Sequence, residues 1–271
     1  MLHSAKARVI SPVRAAAKAR RELAALSRPS ASFDASRYFR SADDFGFLNV
    51  RTQAVREMAR RLVRERQHVW TVNDGLAFAN VLISDRYLEV KGLGIEVLAR
   101  YRREFTPKLL PDWKRWLSHN HSTNWATTDA ICGLLIGPLL VEHPRLATEM
   151  RAWSRDSNMW VRRASAVALI PAVRRGVGLE TAYEVARRLH GDGEDLLHKA
   201  VGWMLREAGK IDTARLERYL RANGPRIPRT TVRYAIERFP QTKRLELLAV
   251  TRQGRPEGRP VLKSSTPPKS R

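Results

Sequence analysis

With 271 residues, 43% of them hydrophobic, the chain can bury a sizeable core in one large domain or two ordinary ones. Against that core stand 50 Lys+Arg and only 27 Asp+Glu, a formal charge of +23 that exceeds what solubility requires and points to a polyanionic partner. A single cysteine, Cys132, excludes an internal disulfide, no CxxC or Cys/His cluster offers a zinc site, and the longest apolar run, Ala130 to Val141, falls short of the roughly 20 residues of a bilayer span.

Residues 1–32 are rich in Ala, Arg and Ser, and within the first 30 seven cations stand against Glu22 alone. This predicts a disordered basic arm. A transit peptide is the other reading, while the apolar core of a secretory signal is missing. Tyr38 follows in RYFRSADDFGF, where an ordinary half-buried tyrosine and a functional one are equally open.

From residue 33 to 251 helical periodicity dominates and alternating strand patterns are nearly absent. Helices are predicted over 52–66, 73–84, 88–104, 111–119, 123–141, 144–154, 158–173, 179–189, 194–208, 213–222, 228–238 and 241–251. Pro144, Asn158, Asp192 and Asp212 mark starts. Residues 252–271 are rich in Pro, Gly and Ser with few large apolar side chains, so a disordered basic tail is expected. The two ends account for +6 and +5, which leaves +12 on the body. A dozen helices joined by short loops predict an all-α solenoid of stacked antiparallel pairs, with a compact non-repeating helical domain as the rival.

Split at about 100° per residue, the segment 194–210 has two faces. Leu197, Val201, Met204, Leu205 and Ala208 suffice for the core, while Lys199, Trp203, Arg206 and Lys210 form an opposite stripe of one indole among three cations. A solvated helix face is the plainer reading; cations on phosphates with a ring on sugar or base is the functional one. In 123–141 the core side is Ile131, Leu134, Leu135 and Leu139, and Trp125, Asp129 and Cys132 fall elsewhere, beside Gly133. Asp129 reads either as a surface acid balancing cations or as an acid placed on a basic face for a reason. Arg162 and Arg163 open a helix at the unfavourable end of its dipole, a cost that a bound phosphate would reverse. His119-x-His121 does not converge on a metal, Cys132 has no recognisable base, and nucleotide-binding loops are missing.

Trp125-x-x-x-Asp129, Trp160-Val161-Arg162-Arg163, the run His198-Lys199-Ala200-Val201-Gly202-Trp203-Met204-Leu205-Arg206-Glu207 and the segment Pro228 to Ala235 together resemble the DNA alkylation repair family, the AlkD-like DNA glycosylases. The resemblance runs from about 35 to 250 in order, and the Lys199 to Glu207 run is its most specific element. It implies HEAT-like helical repeats around a concave DNA-binding groove, and excision of cationic alkylated purines such as 3-methyladenine and 7-methylguanine from duplex DNA without base flipping, the first step of base excision repair. It further implies Asp129, Trp125 and Trp203 as catalytic residues. Arg163, Arg206, Lys199, Arg162 and Tyr38 would be DNA contacts. No cofactor, no metal and no membrane partner are expected, with a monomer in the cytoplasm, associated with the nucleoid through DNA. The alternatives are a non-catalytic binder of damaged or branched DNA and a basic scaffold for RNA or protein.

Overall fold

The computed structural model describes residues 11–28, 39, 45–66 and 68–252. Its helices are α1 (Pro12–Ala25), α2 (Thr52–Arg64), α3 (Val72–Ile83), α4 (Leu88–Leu98), α5 (Leu110–Ser118), α6 (Trp125–Ile131), α7 (Gly137–Glu142), α8 (Glu149–Trp153), α9 (Met159–Val167), α10 (Ile170–Val173), α11 (Leu179–Leu189), α12 (Asp195–Ile211), α13 (Thr213–Asn223), α14 (Arg229–Ala235) and α15 (Gln241–Val250). Among the described residues no strand forms, and one isolated bridge joins Gly46 to Tyr87. The fold is all-α and built as helical repeats. One row runs α2, α4, α6, α9, α12, α14, each packed on the next, and a second layer of α3, α5, α8, α11 and α13 leans on it.

Local chemistry accounts for the helix starts. The side chains of Asn124, Asn158 and Asp212 accept from the amides of Thr127, Trp160 and Arg215, each at 2.8 Å, so donors that the first turn leaves open are satisfied. At Thr71 a capping box forms with Asp74.

Two expectations change. Residues 12–25 are a helix within the stretch expected to be a disordered arm. Ser11 caps it, Pro12 opens it, and Ala15, Ala16, Ala19 and Leu23 bury a narrow face against α3. Alanines contribute little hydrophobicity but excellent helix propensity and let backbones approach closely. The expected C-terminal tail lies, beyond Arg252, outside the described residues.

The second change concerns 123–141. Here α6 and α7 are joined by a π-helical turn, Cys132–Ile136. Pro138 has no N–H to offer the carbonyl four residues earlier, and Gly137 lets α7 approach α10 so closely that a Cβ would collide with the ring of Pro171. The run Trp125–Glu142 spans 18 residues at mean hydropathy 1.3, long and apolar enough to cross a membrane on those terms, which corrects the exclusion drawn from the shorter apolar run. In the fold it is a core element, packed on α4, α9 and α10, with Ile131, Leu135, Ile136, Leu139 and Leu140 fully buried.

Candidate active site

Three devices fix the start of α6. Lys91, buried on α4, donates from Nζ to the Ile83 carbonyl at 2.9 Å and to the His121 carbonyl at 2.6 Å, tying the loop before α6 to the end of α3. Burial, partly offset by Asp85, brings that amine down to about 8. Thr123 turns the chain at φ +47, a costly conformation for a β-branched residue. The buried Asn124 then caps the helix and also donates to the Ser122 carbonyl at 2.7 Å. Trp125 is thereby the first residue of α6, and Asp129 lies one turn on.

Asp129 points to α9. Its Oδ1 accepts from Arg163 Nε and its Oδ2 from Arg163 Nη2, both at 2.9 Å, a bidentate pair. The third guanidinium nitrogen of Arg163 donates to the Leu196 carbonyl on α12. One side chain on α9 therefore joins α6 to α12. Arg163 is 5% exposed, whereas the Asp129 side chain keeps 18%. Burial pushes the Asp129 carboxyl above its usual range, against the pull of the Arg163 charge and its hydrogen bonds. Gly133, a turn further on, is exposed and open enough that a Cβ would meet nothing within 4 Å. Cys132 is fully buried, its Sγ 3.9 Å from the Ala164 carbonyl, and burial, with Asp129 nearby, pushes its thiol well up.

The cations expected on phosphate already have acidic partners. Arg162 Nε meets Asp192 at 2.7 Å, and its Nη1 donates to the carbonyls of Asp156 and Ser157 at 3.0 and 2.7 Å. Carboxylates, Asp192 and Asp129, thus offset the dipole penalty of the two arginines near the start of α9. Lys199 pairs with Asp195 at 2.8 Å, and Arg206 pairs with Glu237 and lies 3.5 Å from Glu207. Trp203 is half-buried on α12, packed against the core. The stripe Lys199, Trp203, Arg206 stays on one helix, α12, which packs on α9, the helix that carries Arg163. Gly202 explains the close α12–α14 crossing: a Cβ would lie 2.8 Å from the Thr231 carbonyl oxygen and collide with Tyr234.

Phe39 escaped sequence reasoning. Its ring stacks on Trp125 with centroids 5.3 Å apart and planes 18° from parallel, and it makes edge or tilted contacts with Phe45 and Phe47. That cluster is anchored through Glu89, whose carboxylate accepts from the amides of Leu48 and Val50 at 3.0 and 3.3 Å. The one available signal was the density of aromatics in RYFRSADDFGF. Tyr38 itself lies outside the described residues.

The family model for the DNA alkylation repair enzyme matches residues 19–239, from within α1 to just past α14. The chain is also similar to a solved structure named as a predicted DNA alkylation repair enzyme from Enterococcus faecalis, with a TM-score of 0.68 and 15% identity over 79% of this chain and 97% of that one. At that identity the likeness carries the fold. No curated protein matches in sequence.

Proposed function

The chain belongs to the DNA alkylation repair enzyme family, and from that premise we propose that it is a DNA glycosylase that hydrolyses the N-glycosidic bond of cationic alkylated purines in duplex DNA, acting as a cytoplasmic monomer without cofactor or base flipping. The observation that carries the reading is Asp129: a largely buried carboxylate, held bidentately by Arg163, one helical turn from Trp125 and beside the open Gly133. An alkylated purine departs as a neutral base and needs little acid assistance. What needs stabilising is the oxocarbenium-like sugar. Asp129 supplies negative charge and positions water, and Trp125 and Trp203 supply ring surface against the deoxyribose. Arg163 acts as a positioning residue that aims the carboxylate. Lys199, Arg206 and Arg162 exchange acidic partners for phosphate oxygens when DNA arrives.

A carboxylate about 4 Å from a unit positive charge at an effective dielectric near 20 gains about 4 kcal/mol, roughly a thousandfold in rate. The lesion is itself cationic, so part of that attraction exists before reaction and accelerates nothing. Arg163 offsets a further part. Asp129→Asn is therefore expected to slow excision of 7-methylguanine by about ten- to a thousandfold, with DNA affinity unchanged or slightly higher. Release of free methylated purine from alkylated duplex, measured by chromatography, tests both statements. No release from wild type would leave a non-catalytic binder of damaged or branched DNA, and an Asp129→Asn variant as fast as wild type would remove Asp129 from the chemistry.

A further inference from the structure

The arginines nominated for phosphate are paired internally, while three that carry no ion pair among the described residues converge elsewhere. Arg102 and Arg103 close the 3-10 helix Ala99–Glu104 that continues α4, and Arg175 follows α10. With Pro138, His143 and Pro171 they line an open cleft of about 670 Å³ between the ends of α4, α7 and α10, with Glu142 its one acid. All three arginines are exposed, and among the described residues none of them donates to a side chain or to the helix-terminal carbonyls beside it. A cation near a helix C-terminus is ordinarily explained by bonds to those carbonyls, and here the guanidinium donors are unspent. The hollow between α8 and α11 is different: of its four arginines, Arg151 and Arg187 are matched by Glu184 and Glu180, and two, Arg155 and Arg188, carry no ion pair among the described residues.

We propose that the cleft formed by Arg102, Arg103 and Arg175 is a second phosphodiester-binding site, which grips the backbone of the same duplex away from the reacting nucleotide. Planar guanidinium forks suit phosphate oxygens, and three like charges brought together are relieved by polyanion binding. Pro138, at the cleft, opens α7, which continues through the π-helical turn from α6, the helix that carries Asp129. The inference rests on the duplex-DNA reading above, and its test does not depend on excision.

The triple variant Arg102→Ala, Arg103→Ala, Arg175→Ala is compared with wild type, and with a control that loses the same charge on other surfaces, Arg145→Ala, Arg188→Ala, Arg218→Ala. Binding of each full-length protein to an undamaged duplex is titrated by fluorescence anisotropy across a range of salt. The cleft variant is expected to lose about two to three from the slope of log affinity against log salt, and the control well under one. Excision at saturating enzyme stays within about twofold of wild type. Equal slopes for the two triple variants would overturn the cleft, since net charge alone would then explain binding. If wild type releases no methylated base yet the cleft variant loses slope, the second site stands and the glycosylase reading falls. Competition by inorganic phosphate at millimolar concentration, without loss of slope in the cleft variant, would instead assign the arginines to a small anion and overturn the proposal.

Discussion

Two carboxylates sit in the same row of helices, the partly buried Asp129 at the α6–α9 contact and the buried Glu207 toward the end of α12, and they are held in opposite ways. Glu207 is 2% exposed and answered by several cations: Arg174 at 2.9 Å, Lys210 at 2.9 and 2.8 Å to its two oxygens, and Arg206 at 3.5 Å. Burial pushes its pKa up, but the hydrogen bonds from Lys210 and Arg174 outweigh that and hold it below the usual range. Asp129 has one cation, a raised pKa and some remaining exposure. Glu207 has its charge consumed by the fold. Asp129 has charge aimed but not exhausted, which is the condition a developing sugar cation requires.

The largest effect is expected where that aim is removed. Arg163→Gln leaves a carboxylate whose burial is unopposed, at a stability cost of about 3–5 kcal/mol for breaking a buried pair. The sign for chemistry follows from the two causes: burial raises the Asp129 pKa and Arg163 lowers it, so without Arg163 the carboxyl holds its proton to higher pH. The acid limb of the excision rate should move upward in Arg163→Gln and partly return in Arg163→Lys, measured in single turnovers on folded protein. A limb that stays in place in both variants removes the positioning role.

At Glu207 the outcome should reverse. Glu207→Gln loses charge-assisted hydrogen bonds and about 1–3 kcal/mol of stability, while excision per folded molecule stays within about twofold. Because the folded pKa is depressed, the wild-type advantage is present above the ordinary 4.5 and fades as pH falls through the lower folded value. Denaturant melts at neutral and acidic pH read that difference. A loss of excision as large as that of Asp129→Asn would erase the distinction between the two carboxylates.

How far this was legible beforehand depends on the range of the interaction. Helix positions follow from local periodicity and caps, and 179–189 agrees to the residue. Trp125 and Asp129 fall together because i and i+4 share a helix face, a purely local relation. Arg163 was recognisable as a residue of interest, but its partner was not, because the Asp129 contact spans 34 positions and depends on how α6 crosses α9. The helix α1 was missed because an alanine face has little hydrophobic contrast, although it packs well. Lys91 was invisible for a related reason: nothing in a sequence shows that two backbone carbonyls from different elements will converge on one amine.

The smallest predicted effect probes the part of the site that local patterning missed. Phe39 covers one face of Trp125, and stacked aromatic pairs contribute about 0.5–1.5 kcal/mol beyond their buried area. If that contact holds the indole where the sugar meets it, Phe39→Ala should slow excision by about two- to tenfold. Phe39→Leu, which keeps most of the volume but no ring face, should fall between Phe39→Ala and wild type, and the tryptophan emission of both variants should shift as the indole loses its stacked neighbour. Affinity for undamaged duplex should not change, since Phe39 carries no charge to exchange with phosphate. An unchanged rate with shifted emission would mean that Phe39 only packs against Trp125, and would leave Asp129 and Arg163 as the part of the site whose geometry matters to the rate.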